Sequence, residues 1–418
     1  MGVLTTATRM YLTRSFKPFT FIADDGRKNP AIEETERPGL YVHIPFCRSI
    51  CNFCPYCKVQ FDQTVFDRYI DALKQEIIMV SGGLPVPKET TSLYFGGGTP
   101  ALAADRLGEI IELLKKYYII TDGIGVELHP YDVNAETLQK LKNAGVSRIS
   151  IGIQSFQEKF QTLLGRETVD AGKIKNALSQ VGFETVSMDF IFALPGQQTA
   201  DLKADIDTAF ASGANHVAIY PFINFSFTPT PVQAMKKQEK RRLLDEITGY
   251  FETLGCHRDS IWTFARSKDN RYSSMTRDNF IGFGCSATTL LKDQFRINTF
   301  PVEAYCRRIE AGRLPITLRC DFSLRQRMIY WLFWRAYTTR VKISDFERCF
   351  GIPLKKVFGV ELKLAEIAGM IIIRGGCLEL TAKGAFYFHY YEGFYTLSYI
   401  DRMWGLLRHQ PFPAGMTL

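Results

Sequence analysis

Cys47, Cys51 and Cys54 stand in a C-x3-C-x2-C spacing directly after the apolar run Tyr41-Val42-His43-Ile44-Pro45-Phe46. Thiolate is the soft ligand that iron–sulfur clusters and zinc both select. Three thiolates this close can hold three irons of a cubane. A ferredoxin-type site would supply a fourth cysteine; with three, one iron keeps an open position, which catalysis needs and electron storage does not. The alternatives are a structural zinc site and a group of reduced, buried thiols. Zinc usually draws on two short C-x2-C pairs set well apart. Cys57 adds a fourth local thiol, but the chain holds no distant second pair.

A β/α alternation positions this loop. Leu40–Ile44 reads as a first strand with the cysteine loop at its carboxyl end, and Phe66, Tyr69, Ile70, Leu73 and Ile77 recur behind it at helical spacing. A second strand, Ser92–Phe95, runs into Gly96-Gly97-Gly98-Thr99-Pro100, and a helix bearing Leu107, Ile110, Ile111 and Leu114 follows. Further strands are Ile124–Leu128, Arg148–Ile153, Thr185–Phe190 and His216–Tyr220. Repeated βα units with short links imply a parallel sheet with right-handed crossovers. Six such units fit an open partial barrel better than a closed eight-strand one, and ligands collect at the carboxyl ends of its strands. Each polar feature of this half falls at such an end. Backbone at Gly97 and Gly98 can approach a ligand closely, or simply make a tight turn. Glu127 sits among apolar neighbours, where an unpaired carboxylate is costly. Gln154 ends its strand, Arg166 follows, and Asp189 closes the fifth strand; a surface ion pair and a strand-end cap are the plainer roles for the last two.

The full chain has 418 residues, 46% hydrophobic and 22% charged, which describes a soluble globular protein with ample core. The densest apolar run, Met328–Phe333, is short and flanked by Arg327 and Arg335, so the chain does not read as an integral membrane protein. No secretory apolar segment opens the sequence, and the expectation is a cytoplasmic protein. Ten cysteines then argue for metal and reduced thiols over a disulfide framework. The six beyond the loop are scattered without a ligand pair, which argues against an auxiliary cluster. A net charge of +8 suits an anionic substrate, an acidic electron donor or nucleic acid, and does not choose among them.

With Phe53 just before Cys54, the cysteine spacing resembles the signature of radical S-adenosylmethionine (SAM) enzymes, and the run Tyr41–Cys47 resembles the HemN-like branch, that of oxygen-independent coproporphyrinogen III dehydrogenase. The likeness spans about residues 40 to 222 and, more weakly, 275 to 390. It implies a partial (βα)6 radical-SAM barrel. It also implies a [4Fe-4S] cluster on Cys47, Cys51 and Cys54 whose open iron binds the amino and carboxylate groups of SAM, and an electron that breaks the sulfonium C–S bond to give a 5′-deoxyadenosyl radical. By the same resemblance Tyr41, Phe53, Gly97, Gly98, Thr99, Glu127, Gln154, Arg166 and Asp189 contact SAM, the arginine taking its carboxylate in a bidentate pair. A flavodoxin- or ferredoxin-type electron donor is implied as partner. Cys57, just past the cluster ligands, is a candidate catalytic thiol; a plain loop cysteine is the blander reading.

Residues 1–38 read as an N-terminal arm or lid, 39–290 as the barrel with its extension, and 291–418 as a HemN-like C-terminal domain. Within the extension, which also holds Tyr272-Ser273-Ser274, Gly282-Phe283-Gly284 resembles the glycine-rich turn that ends the catalytic domain of such proteins. Apolar runs Met370–Ile373 and Cys377–Leu380 around Gly375-Gly376 suggest a hairpin, and with the preceding helices a winged-helix-like α+β domain. Lys355, Lys356 and Lys363 read first as a solvated face, so nucleic acid is not the expected partner. HemN's Tyr- and Pro-rich N-terminal motif and the His-Asn-x-x-Tyr-Trp run of heme chaperones are both missing from the sequence. The aromatic-rich C-terminal half can wall a flat apolar pocket. The expectation is therefore C-methylation of a planar conjugated substrate, a menaquinone-type quinone or a tetrapyrrole such as heme, with one or two molecules of SAM. Oxidative decarboxylation of a porphyrinogen-like substrate and non-enzymatic heme delivery are the alternatives.

Overall fold

The structure, a computed structural model, describes residues 3–267 and 278–418. Six parallel strands form its centre: β1 (Gly39–Ile44), β2 (Leu93–Gly97), β3 (Ile124–Leu128), β4 (Arg148–Gln154), β5 (Thr185–Phe192) and β6 (His216–Pro221), paired in that order. Each lies within two residues of its expected position. The apolar residues of the first helix, Gln63–Ser81, lie as their spacing predicts, with Phe66, Tyr69, Ile70, Leu73 and Ile77 buried against the sheet. Burying a side chain of this size is worth roughly 1.5–3 kcal/mol, so this face alone fixes how the helix seats.

The sheet runs further than the alternation indicated. Phe280–Phe283 pairs in parallel with β1, making a seventh parallel strand where the sequence suggested only a glycine-rich turn. Gly282 lies inside that strand because its bare Cα backs onto the Thr288 backbone; Gly284, at φ 97°, makes the turn. Tyr272, Ser273 and Ser274 lie outside the described residues. Antiparallel strands extend both flanks into a 14-stranded sheet. Strands lie across or near both of the divisions expected from the sequence. The strand Thr288–Leu291 spans the boundary expected at residue 290. The arm, read as a lid, supplies Thr20–Ala23 as a strand between Ile316–Asp321 and Gly415–Thr417.

Residues 324–380 build a small α+β unit with its own core of Trp331, Phe346, Leu354 and Phe358. The expected hairpin is Ile371–Arg374 with Cys377–Leu380, and Arg340–Lys342 adds a third strand. Gly375 and Gly376 both have positive φ, 55° and 71°, as a tight two-residue hairpin turn requires.

Glu76 ties the first helix to the turn after Phe280–Phe283. Its buried carboxylate accepts from the Gly284 N–H (2.6 Å), the Tyr305 hydroxyl (2.6 Å) and the Asn298 amide (2.8 Å). Burial outweighs these donors and pushes its pKa up from 4.5 to about 7. A carboxyl group raised on folding contributes stability that is full below its unfolded pKa and is lost as pH rises through its folded one, here over pH 4.5 to 7. The shift corresponds to about 3 kcal/mol. The stability advantage of the parent chain over Glu76→Gln is therefore expected to shrink by that order between pH 4.5 and 8, measured by urea unfolding. A difference that stays constant with pH would refute this.

Candidate active site

The cysteine loop leaves the carboxyl end of β1 and is tied down by backbone. The Gly98 N–H donates to the Ile44 carbonyl and the Thr99 N–H to the Phe46 carbonyl, each at 2.8 Å. A Cβ on Gly98 would stand 2.7 Å from the Phe46 oxygen, and one on Gly97, at φ 126°, would stand 2.8 Å from the His43 ring. These two glycines are thus required by the cysteine loop and by His43, whatever they also offer a ligand. The Thr99 hydroxyl points at Cys47 Sγ (3.7 Å), and Arg48 pairs with Asp132 beyond β3 (3.1 Å). Lys58 donates to the Cys54 carbonyl at 2.6 Å.

Cys47, Cys51 and Cys54 are all partly exposed. They lie near enough for Cys51 and Cys54 to raise the Cys47 thiol electrostatically, though burial is the larger cause, and together these push it up to about 11. A thiol so placed ionises only with a cation beside it. The three do not converge on a point: among the described residues, the single group whose ligand atoms all lie within 4.8 Å is a different one. Thiolates that each take a separate iron fit a cubane, and a mononuclear zinc site does not fit this spread.

Behind the loop the barrel interior is polar along one row. Glu127 is in register with Ser150, Ser150 with Ser187, and Ser187 with His216, so these side chains share the inner face of four adjacent strands. Glu127 accepts from the Tyr94 hydroxyl (2.9 Å) and the Gly97 N–H (3.1 Å). Burial, helped by the negative charge of Asp189, still pushes it up to about 7. Asp189 accepts from Ser150 (2.8 Å) and Ser187 (3.1 Å), and burial raises it too. Two confined carboxyl groups held above their usual range mark a place where a cation is welcome. Tyr41 stacks on Tyr94 (6.4 Å, 15°) and hydrogen-bonds His43 Nδ1 at 2.9 Å.

At the strand ends, Gln154 adopts a left-handed backbone at φ 70°, which costs a non-glycine residue roughly 1–2 kcal/mol. Arg166 donates to the Gly152 carbonyl at 2.6 Å, while its Nε is buried with no protein partner. An unmet guanidinium N–H at the mouth of a barrel suits a carboxylate ligand. Beside it, burial and the positive charges of Arg166 and Arg48 lower His129 to about 3, so that ring is neutral. Phe53 packs at the edge of a small apolar cluster with Phe160, Leu194 and Phe222.

Cys57 lies away from the surface of the loop. It is buried, its Sγ 4.0 Å from Cys285 Sγ and 3.2 Å from the Phe300 carbonyl. The Cys285 thiol's hydrogen bond holds Cys57 well below the ordinary thiol range, and burial holds Cys285 above it, so the pair favours sharing one proton. One of the six distant cysteines, Cys285, thus lies beside a cysteine of the loop. Tyr94, Ser150, Ser187 and His216 were also missed. The signal available was parity, since each occupies the same alternate position as its registered neighbour in an otherwise apolar strand.

Residues 41–209 match the model of the Radical SAM superfamily. The heme chaperone HemW of Bacillus subtilis is 27% identical over 366 residues, covering 83% of this chain and 96% of that protein. The oxygen-independent coproporphyrinogen III oxidase of Escherichia coli is 26% identical over 387 residues, covering 84% and 83%. The structure of coproporphyrinogen III oxidase (HemN) from Escherichia coli, described as a radical SAM enzyme, superposes with a TM-score of 0.73 at 21% identity, over 91% of this chain and 96% of that one. The chain thus matches the Radical SAM model over residues 41–209 and is similar along most of its length to HemN- and HemW-type proteins. It has the HemN fold, and its cofactors are a [4Fe-4S] cluster and SAM. Methylation, expected above, finds no support among these relatives, whose names match the two alternatives instead.

Cys51→Ala is expected to abolish the visible absorbance and iron content of the reconstituted cluster, whereas Cys57→Ser retains both, because Cys57 is turned toward Cys285. Loss of the cluster in Cys57→Ser would show that the loop rearranges to recruit it.

Proposed function

We propose that this HemN-like protein oxidises a porphyrinogen-like tetrapyrrole, in the manner of a radical decarboxylase, and does not methylate it. The observation that carries this is the roof over the cysteine loop. Helix Asp401–His409 lies across it, with Arg408 donating to the carbonyls of Pro55 and Tyr56. Trp404 stacks on Phe225 (6.5 Å, 12°) and leans on Tyr56 (5.8 Å) and Phe300 (6.3 Å), and Arg408 lies 4.5 Å from the Phe227 ring. Flat rings edged by guanidinium groups suit a substrate with a planar apolar body and carboxylate arms. The names of the coproporphyrinogen oxidases support the same class.

When bound, the cluster and SAM supply a 5′-deoxyadenosyl radical able to attack unactivated carbon. The chain's own share is to hold and shield. Cys47, Cys51 and Cys54 carry the cluster. Glu127 and the Gly96–Gly98 turn would hold the positive end of SAM and Arg166 its carboxylate, and Gln154, Thr99, Asp189, Tyr41 and Phe53 would supply further contacts. The Trp404 helix covers the exit of the loop at Pro55 and Tyr56. A heme-holding role is the second reading, favoured by a match that spans nearly all of the HemW chain.

The anaerobic full-length protein with coproporphyrinogen III, SAM and a reductant is expected to release carbon dioxide and 5′-deoxyadenosine together. S-adenosylhomocysteine with a methylated product would reverse the proposal, and a stable heme complex without turnover would favour the second reading. Arg166→Ala is expected to weaken SAM binding roughly 10- to 100-fold, from the ~1.5–3 kcal/mol of a hydrogen bond between charged groups, with cluster content unchanged. Equilibrium dialysis measures it, and unchanged affinity would remove Arg166 from the site.

A further inference from the structure

His43, Cys57 and Cys285 come from three separate places in the chain: strand β1, the exit of the cysteine loop, and the turn after Phe280–Phe283. All three side chains are buried, at 3%, 7% and 0% exposure. Their ligand atoms lie within 4.8 Å of one another, and the two sulfurs are 4.0 Å apart. An ion at the centre of a triangle with sides of that size sits about 2.3–2.8 Å from each corner, beside a zinc–thiolate length of about 2.3 Å. A disulfide would instead need the sulfurs to close to about 2.05 Å, and it would give the imidazole no part.

We infer that His43, Cys57 and Cys285 form a second metal site, separate from the cluster cysteines, that takes a zinc-class divalent ion. The donor set is soft, two sulfurs and one imidazole, which suits zinc and copper(I) alike. Charge separates them: two thiolates with a divalent ion are neutral overall, whereas a monovalent ion leaves a net negative charge buried among Phe300, Ile44 and Phe46. His43 Nε2 donates to the Cys57 carbonyl at 2.9 Å and lies 3.4 Å from the Ser286 hydroxyl, so taking the metal on Nε2 breaks that hydrogen bond and moves the imidazole proton to Nδ1. With Nε2 on the metal, Nδ1–H donates to the Tyr41 hydroxyl 2.9 Å away, the outer partner that ligating histidines usually have. Binding releases the one proton shared by the two sulfurs and changes no oxidation state. The ion pins the cysteine-loop exit to β1 and to the seventh parallel strand. This site does not depend on the porphyrinogen reading.

The test uses the full-length chain with Cys47, Cys51 and Cys54 replaced by serine, so that only the second site can bind. Purified anaerobically with a chelator and titrated with cobalt(II), it is expected to bind one equivalent with a thiolate-to-cobalt charge-transfer band that zinc displaces. Cys57→Ser and Cys285→Ser in that background, close in size to the parent residues, are expected to lose the band while keeping the circular dichroism of the fold. Tyr41→Phe, which removes no ligand, is expected to weaken binding about tenfold. In the cluster-loaded parent, elemental analysis is expected to find one zinc per chain in addition to the cluster iron. Binding that survives Cys285→Ser, no stoichiometric binding, or a Cys57–Cys285 disulfide in the anaerobically purified parent would each overturn the site.

Discussion

Two backbone hydrogen bonds decide the geometry on which the active site rests. Gly98 and Thr99 donate to Ile44 and Phe46, and so the end of β2 is bolted to the start of the cysteine loop. The bolt closes only because residue 98 has no side chain: the Phe46 carbonyl occupies the space a Cβ would need. Cys47 is thereby set against the Thr99 hydroxyl, and Gly97 is left with its N–H aimed at Glu127. Two features that look independent in the sequence, the cysteines and the glycines, are one mechanical unit.

The interior of the barrel follows from this placement. A partial barrel filled entirely by apolar side chains would be stable and inert. Here Glu127, Ser150, Ser187 and His216 run across four strands in register, with Asp189 held by two serines. The carboxyl groups pay for burial with raised pKa values, a strain that a cationic ligand relieves. Arg166 carries the opposite need, a buried Nε awaiting an acceptor. The proposed ligand, SAM, carries an ammonium, a sulfonium and a carboxylate, which would answer both needs.

The alternation of strands and helices was legible because parallel strands buried on both faces read as compact apolar runs, and all six lie where those runs fall. The cysteine trio was legible because its chemistry is carried by local spacing. What the sequence hid depends on distant pairing. Phe280–Phe283 is a strand of four residues containing a glycine, which has no periodicity to show. Thr20–Ala23 becomes a strand only because Ile316–Asp321 and Gly415–Thr417 lie on either side of it. Cys285 looked like a stray thiol because its partner is 228 residues away. Gln154 in a left-handed conformation and the inward row of serines likewise exist only once strand register is set.

Arg408 and Trp404, which lie over the exit of the cysteine loop, and Gly415–Thr417, which pair with Thr20–Ala23, are distant in sequence from what they touch, 352 residues in the case of Arg408 and Tyr56. Contacts of such separation form only after the intervening chain has been brought together, at the entropic cost of closing a very long loop. The cover over the loop is therefore a late and global property of the fold, whereas the spacing of Cys47, Cys51 and Cys54 is a local one.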